Sequence, residues 1–227
     1  MITLKELEMR KTLNKARGMR GFTLLEMMVV IMIIGILSTS LVVMVPEFID
    51  RAQMTASEKN MRDIYAAMLM YQEDHNGSWP RDDGQRFFLR LWKDRYLDRS
   101  EKNAQKFFSP RDSFNNYIPE GVSVEEYLDD WDNIGPGSTS YAGFNTGGDR
   151  LLRRKLVKNP GNTVILSDAY LVHRNAVVYM TADGATHRLL MADLAERVGM
   201  ELDELLEMGI EPGPGCIAEE LRMVTND

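Results

Sequence analysis

Arg20-Gly21-Phe22-Thr23-Leu24-Leu25-Glu26 sets one carboxylate at the start of an apolar run that continues to Val45. Between Phe22 and Val45 lie 24 residues, and Glu26 is the only charged one. A carboxylate costs about 2.5–3.5 kcal/mol at the centre of a membrane helix and less near the interface, so its presence there points to a function and a partner. A cut after Gly21 would supply one. The freed α-amino group of Phe22 on a neighbouring chain could pair with Glu26 inside a helix bundle, where a low dielectric strengthens the attraction. The plainer reading is a glutamate that reaches back to the interface of an ordinary anchor.

The element that must carry these groups is a helix. At about 1.5 Å per residue, Phe22–Val45 spans roughly 36 Å, enough for a hydrocarbon core of about 30 Å. Residues 1–21 hold Lys5, Arg10, Lys11, Lys15, Arg17 and Arg20 against Glu6 and Glu8. That basic excess keeps the N-terminus cytoplasmic and sends the remainder across the membrane. An ordinary secretory signal is excluded, because the apolar run is too long and no small-x-small cleavage pattern follows it.

Gly21-Phe22-Thr23-Leu24-Leu25-Glu26 resembles the cleavage and methylation site of type IV pilins and of the pseudopilins of type II secretion systems. The likeness runs on through Met27-Met28-Val29-Val30-Ile31-Met32-Ile33-Ile34-Gly35-Ile36-Leu37 and covers residues 16–45. It implies a membrane prepilin peptidase that cuts after Gly21 and methylates the new amine of Phe22. Glu26 becomes the assembly carboxylate. The implied partners are that peptidase/methyltransferase, other pilin or pseudopilin subunits, and an inner-membrane assembly platform. The implied location is the bacterial inner membrane, single-pass with the head periplasmic, and then a periplasmic or surface filament. Pro46 stands later than the helix-bending proline usual in the family, so the expected bend lies near Val42–Pro46. The helix ending His75-Asn76-Gly77-Ser78-Trp79-Pro80 is similar to that of pseudopilins, and the Ala182-Asp183-Gly184 phrase is shared with many pilin-like proteins.

These readings divide the chain into a cleaved leader (1–21), a transmembrane and assembly helix (22–46), its amphipathic continuation (47–80) and a globular head (81–227). The expected fold is α+β and pilin-like, a long N-terminal helix packed against a small antiparallel sheet. Ala56, Met61, Ile64, Met68 and Tyr71 recur at helical spacing and form the stripe that the sheet should cover. Phe87–Trp92 and Val122–Trp131 read as short helices, and Asn133–Asp149, rich in Gly and Pro, as loop. Thr163–Asp168 and Ala176–Thr181 read as strands, and Asp183-Gly184 as the turn into a hairpin partner at Ala185–Leu189. Met191–Met208 reads as one amphipathic helix that docks on the head or meets a neighbouring subunit. Residues 216–227 read as a short last helix and a frayed tail.

Other residues with chemical potential have plainer explanations. Asp129, Asp130, Asp132 and Asn133 offer oxygen ligands of the kind Ca²⁺ takes, yet read first as a solvated acidic turn, so no cofactor is assigned. His75 reads as a solvated helix end. Asp168, His173, Asp183 and His187 could be imagined as a metal or hydrolytic site, but no Ser or Cys nucleophile motif accompanies them, and no enzyme is expected. Removing residues 1–21 would leave 206 residues with 21 basic and 32 acidic side chains, a net charge of −11, which argues against a nucleic-acid groove. Cys216 is the only cysteine, so no intramolecular disulfide forms. Many type IV pilins carry such a bond and major pseudopilins often lack one. The resemblance therefore favours a type II secretion pseudopilin that supports protein export. The alternatives are a type IV pilin serving adhesion, motility or DNA uptake, and a membrane-anchored periplasmic enzyme or binding protein.

Overall fold

A computed structural model describes residues 21–227. The leader expectation for residues 1–20 lies outside the described residues. The chain divides into two compact units after Glu47.

Helix α1 runs over Leu24–Asp74, 51 residues with Pro46 inside it. In the first unit the large apolar residues whose side chains are described, from Leu24 to Leu37 and at Leu41, Val42, Met44 and Val45, are exposed. A helix apolar all round needs lipid or other helices to cover it. Among the described residues no single helix is long and apolar enough to cross a membrane, but Leu24–Thr39 and Met44–Asp74 pass that test as a pair separated by a bend. The bend falls in the turn before Pro46, which lacks the amide that would bond residue 42 and crowds that residue's carbonyl. Thr39 adds to it by donating its hydroxyl to the Gly35 carbonyl at 2.9 Å, a back-bond that loosens helices.

The second unit, from Phe48, is built on a five-stranded sheet of order β4-β3-β2-β1-β5. Its strands are β1 (Tyr141–Phe144), β2 (Val164–Asp168), β3 (Ala176–Thr181), β4 (Thr186–Leu190) and β5 (Val224–Thr225). Every pairing is antiparallel. Side chains of β3 alternate between two apolar cores, as a pleated strand requires. Ala176, Val178 and Met180 face one, and Val177 and Tyr179 face the other. A register shift in β2 between Val164 and Leu166 lets both Ile165 and Leu166 enter the first core.

That first core packs Met54, Met61, Ile64, Met68 and Tyr71 of α1 with the aromatics of α2 (Gln85–Lys93). Around it lie α3 (Glu101–Ala104), α4 (Val124–Asp129) and α5 (Arg150–Lys158). The second core lies under α6 (Met191–Val198), α7 (Leu202–Met208) and the C-terminal segment. Both faces of the sheet are therefore covered, which is why β1 and β2 are buried along their whole length.

Four sequence expectations change. The Asn133–Asp149 loop contains β1, a short strand whose Ala142 and Gly143 carry little pattern of their own. Gly143 is needed there, because a Cβ would stand 2.1 Å from the Gly84 carbonyl oxygen. The tail at 216–227 is not frayed: after a 3-10 turn, Val224 and Thr225 pair with β1 as the edge strand β5. The single helix expected over Met191–Met208 is two, because Gly199 sits at φ 71°, the left-handed position that ends α6. In the α1 stripe Ala56 is half-buried, and Ser57 takes the buried position, bonding Ser109 at 3.1 Å.

Candidate assembly site at the start of the long helix

Helix α1 begins with a reciprocal cap. The Thr23 amide and hydroxyl donate to Glu26 Oε2 at 2.8 and 2.9 Å, and the Glu26 amide donates to Thr23 Oγ1 at 3.1 Å. This is the capping box of a Thr-x-x-Glu pattern, which satisfies two amides that no helical carbonyl can reach. The carboxylate also lies where the positive end of the helix dipole favours it. Glu26 Oε1 makes no hydrogen bond among the described residues. One oxygen is thus held by the chain itself, and the other is presented outward. The Thr-x-x-Glu spacing ahead of an apolar run is readable in the sequence, and Thr23 is the site residue that the sequence reading passed over.

Phe22, next to it, is 76% exposed. A Cβ on Gly21 would meet nothing within 4 Å. Among the described residues, packing therefore makes no demand for glycine at position 21. Together, Gly21, Phe22 and Glu26 form an open peptide bond, an uncovered aromatic residue and an oriented carboxylate at the head of an uncovered apolar helix.

The remaining candidates are dispersed. Asp129 accepts from Trp92 Nε1 at 2.8 Å and pairs with Arg99, while Asp130 Oδ2 accepts from Asn133 Nδ2 at 2.6 Å. Among the described residues no group of three or more His, Cys, Asp or Glu could hold a metal ion. His75 stacks on Tyr71 at the end of α1, with ring centroids 3.9 Å apart. Asp183 is consumed by its own turn, accepting from the Thr181 hydroxyl and the Ala185 amide, and His187 stacks on Tyr179.

Asp168 and His173 do come together, with Nε2 3.9 Å from Oδ2, but both are buried in the head. His173 Nδ1 also lies 3.4 Å from Asp50 Oδ1, and Asp50 pairs with Arg111. Burial pushes the Asp168 carboxyl up to about 8 and holds the His173 imidazole below its ordinary value. These neutral forms answer the cost of burying charge, and a group sealed this way offers no approach to a substrate.

Residues 16–42 match the family described as the prokaryotic N-terminal methylation motif. The chain is 41% identical over 59 residues to the type II secretion system core protein G of Pseudomonas aeruginosa. That stretch covers 26% of this chain and 42% of the length of that protein. No solved structure matches the chain.

Proposed function

We propose, from the likeness of its N-terminal segment to the pilin and pseudopilin family, that this chain is a structural subunit of a pilus-like filament, a type II secretion pseudopilin. The observation that carries the proposal is Glu26, an oriented carboxylate within an apolar helix that nothing among the described residues covers. Prepilin peptidase cuts after Gly21 and methylates the Phe22 amine. The helix is stored in the inner membrane, with the leader cytoplasmic and the head periplasmic. On assembly, helices leave the lipid and cover one another. The amine of Phe22 then meets the outward oxygen of a neighbour's Glu26, and the pairing fixes the register of each added subunit.

The relative in P. aeruginosa and the lone Cys216 favour the secretion system over a type IV pilus. The sealed Asp168–His173 pair speaks for a structural head rather than an enzyme.

The test is the intact mass of the protein from membranes of its native host. A chain starting at Phe22 and carrying one methyl group is expected. An uncut chain beside an active peptidase would reduce the apolar run to a plain anchor and overturn the proposal.

A further inference from the structure

The head carries two unmatched charged faces on opposite sides of its sheet. Helix α5 is anchored inward by Leu156, buried in the core shared with α1, and by Arg153, which donates to the Arg81 carbonyl at 3.0 Å and to Asp83 at 3.1 Å. Its outward arc consists of Arg150, Leu151, Arg154, Lys155, Val157 and Lys158, all exposed. The four cations make no ion pair among the described residues. Leu151 and Val157, at 64% and 72% exposure, lie uncovered between them.

Helix α7 presents the opposite character. Leu205 holds it in the other core, while Glu201, Asp203, Glu204 and Glu207 are exposed and make no ion pair among the described residues. Met208, 55% exposed, ends the helix as an apolar knob.

We propose that α5 of one head docks on α7 of a second copy of this chain, an inference that rests on the filament reading above. Charge complementarity selects the occupant: a surface of Arg and Lys around two aliphatic side chains fits a surface of Asp and Glu beside a methionine. Geometry selects the mode. The two faces lie on opposite sides of the sheet, so one chain cannot neutralise them against each other. A two-fold contact of like faces would set cation against cation. Each head therefore offers one face to one neighbour and the other to the next, and such heterologous contacts propagate from subunit to subunit, as a filament requires, rather than closing as a two-fold dimer. The net charge of −11 beyond residue 21 opposes an anionic lipid surface as the occupant.

The experiment uses full-length chains co-expressed in a host with an active prepilin peptidase. One copy carries Val157→Cys and the other Met208→Cys; Cys216 is buried and stays silent. Oxidation of sedimented filaments should give a disulfide-linked dimer in the mixture and none when either variant is expressed alone. Arg150→Glu with Arg154→Glu on the first copy should lower the dimer by about tenfold, and Glu204→Lys with Glu207→Lys on the second should restore it. Filaments without the mixed dimer, a dimer of Val157→Cys chains alone, or a charge swap that fails to restore it would each overturn the docking and leave the filament reading standing. Processed chains that never sediment as filaments would overturn both.

Discussion

Thr23 and Glu26 hold each other: two Thr23 donors converge on Glu26 Oε2, and the Glu26 amide returns a bond to the Thr23 hydroxyl. On the assembly reading proposed above, the carboxylate that would meet an amine on another subunit is already aimed before that subunit arrives. Thr23 caps the helix, and on that reading it also positions Glu26 for assembly.

Thr23→Ala should cost about 1 kcal/mol at the start of the helix, whereas Thr23→Ser should retain the cap. Amide hydrogen exchange at Leu25 to Met27 in detergent micelles reads the difference. Equal protection in both variants would mean that something other than the cap holds the first turn.

The Glu26 charge can be separated from its capping role. Glutamine also serves at this position of a capping box, so Glu26→Gln should keep the helix start and lose the attraction for an amine. Both Glu26→Gln and Glu26→Val should be processed and membrane-inserted yet fail to enter filaments. Normal incorporation of Glu26→Gln would remove the pairing role and leave only the cap.

Gly21→Ala meets open space in the fold, so thermal stability should not change. Leader removal should stop, and intact mass should show the uncut chain. Normal processing of this variant would contradict recognition of Gly21 by the peptidase.

The buried Asp168 makes the head pH-sensitive. Its folded pKa, about 8, lies above the ordinary 3.8, so its contribution is full at low pH and is lost as pH rises toward 8. His173 is shifted down from 6.5, so its contribution is lost only as pH falls below that value. Between pH 6.5 and 8 only the Asp168 slope remains, and stability should drop by about 2 kcal/mol. Asp168→Asn can still accept from the Val178 amide, bonded at 2.7 Å in the parent chain, and should flatten the slope. Urea midpoints across this range, in detergent, provide the check.

Gly143→Ala would drive a Cβ into the Gly84 carbonyl and the Phe88 ring. The loss should be about 1–3 kcal/mol, because backbone cannot yield as a flexible side chain does. An unchanged melting temperature would mean that α2 and β1 approach less closely than they do here.

The features legible in the sequence are those decided within a few residues. The apolar run, the Thr-x-x-Glu cap, the Met and Tyr stripe of α1 and the Asp183-Gly184 hairpin each follow from local periodicity or from what a single backbone position tolerates. So does the methylation motif, since an enzyme reads it as a linear segment. The Gly199 break belongs to this class too, although the amphipathic pattern running past it hid the boundary.

What the tertiary structure alone decided depends on partners far along the chain. β1 has no strong alternation of its own and becomes a strand because β2 and β5 flank it, the latter drawn from the last residues of the sequence. Asp50, Asp168 and His173 are three unremarkable polar residues until the packing of α1 on the sheet buries them together. The charges of α5 and α7 are plain in the sequence, but their placement on opposite faces follows from which core each helix enters. Local propensity can set a helix or a turn, whereas burial and register are properties of surfaces that exist only once distant segments meet.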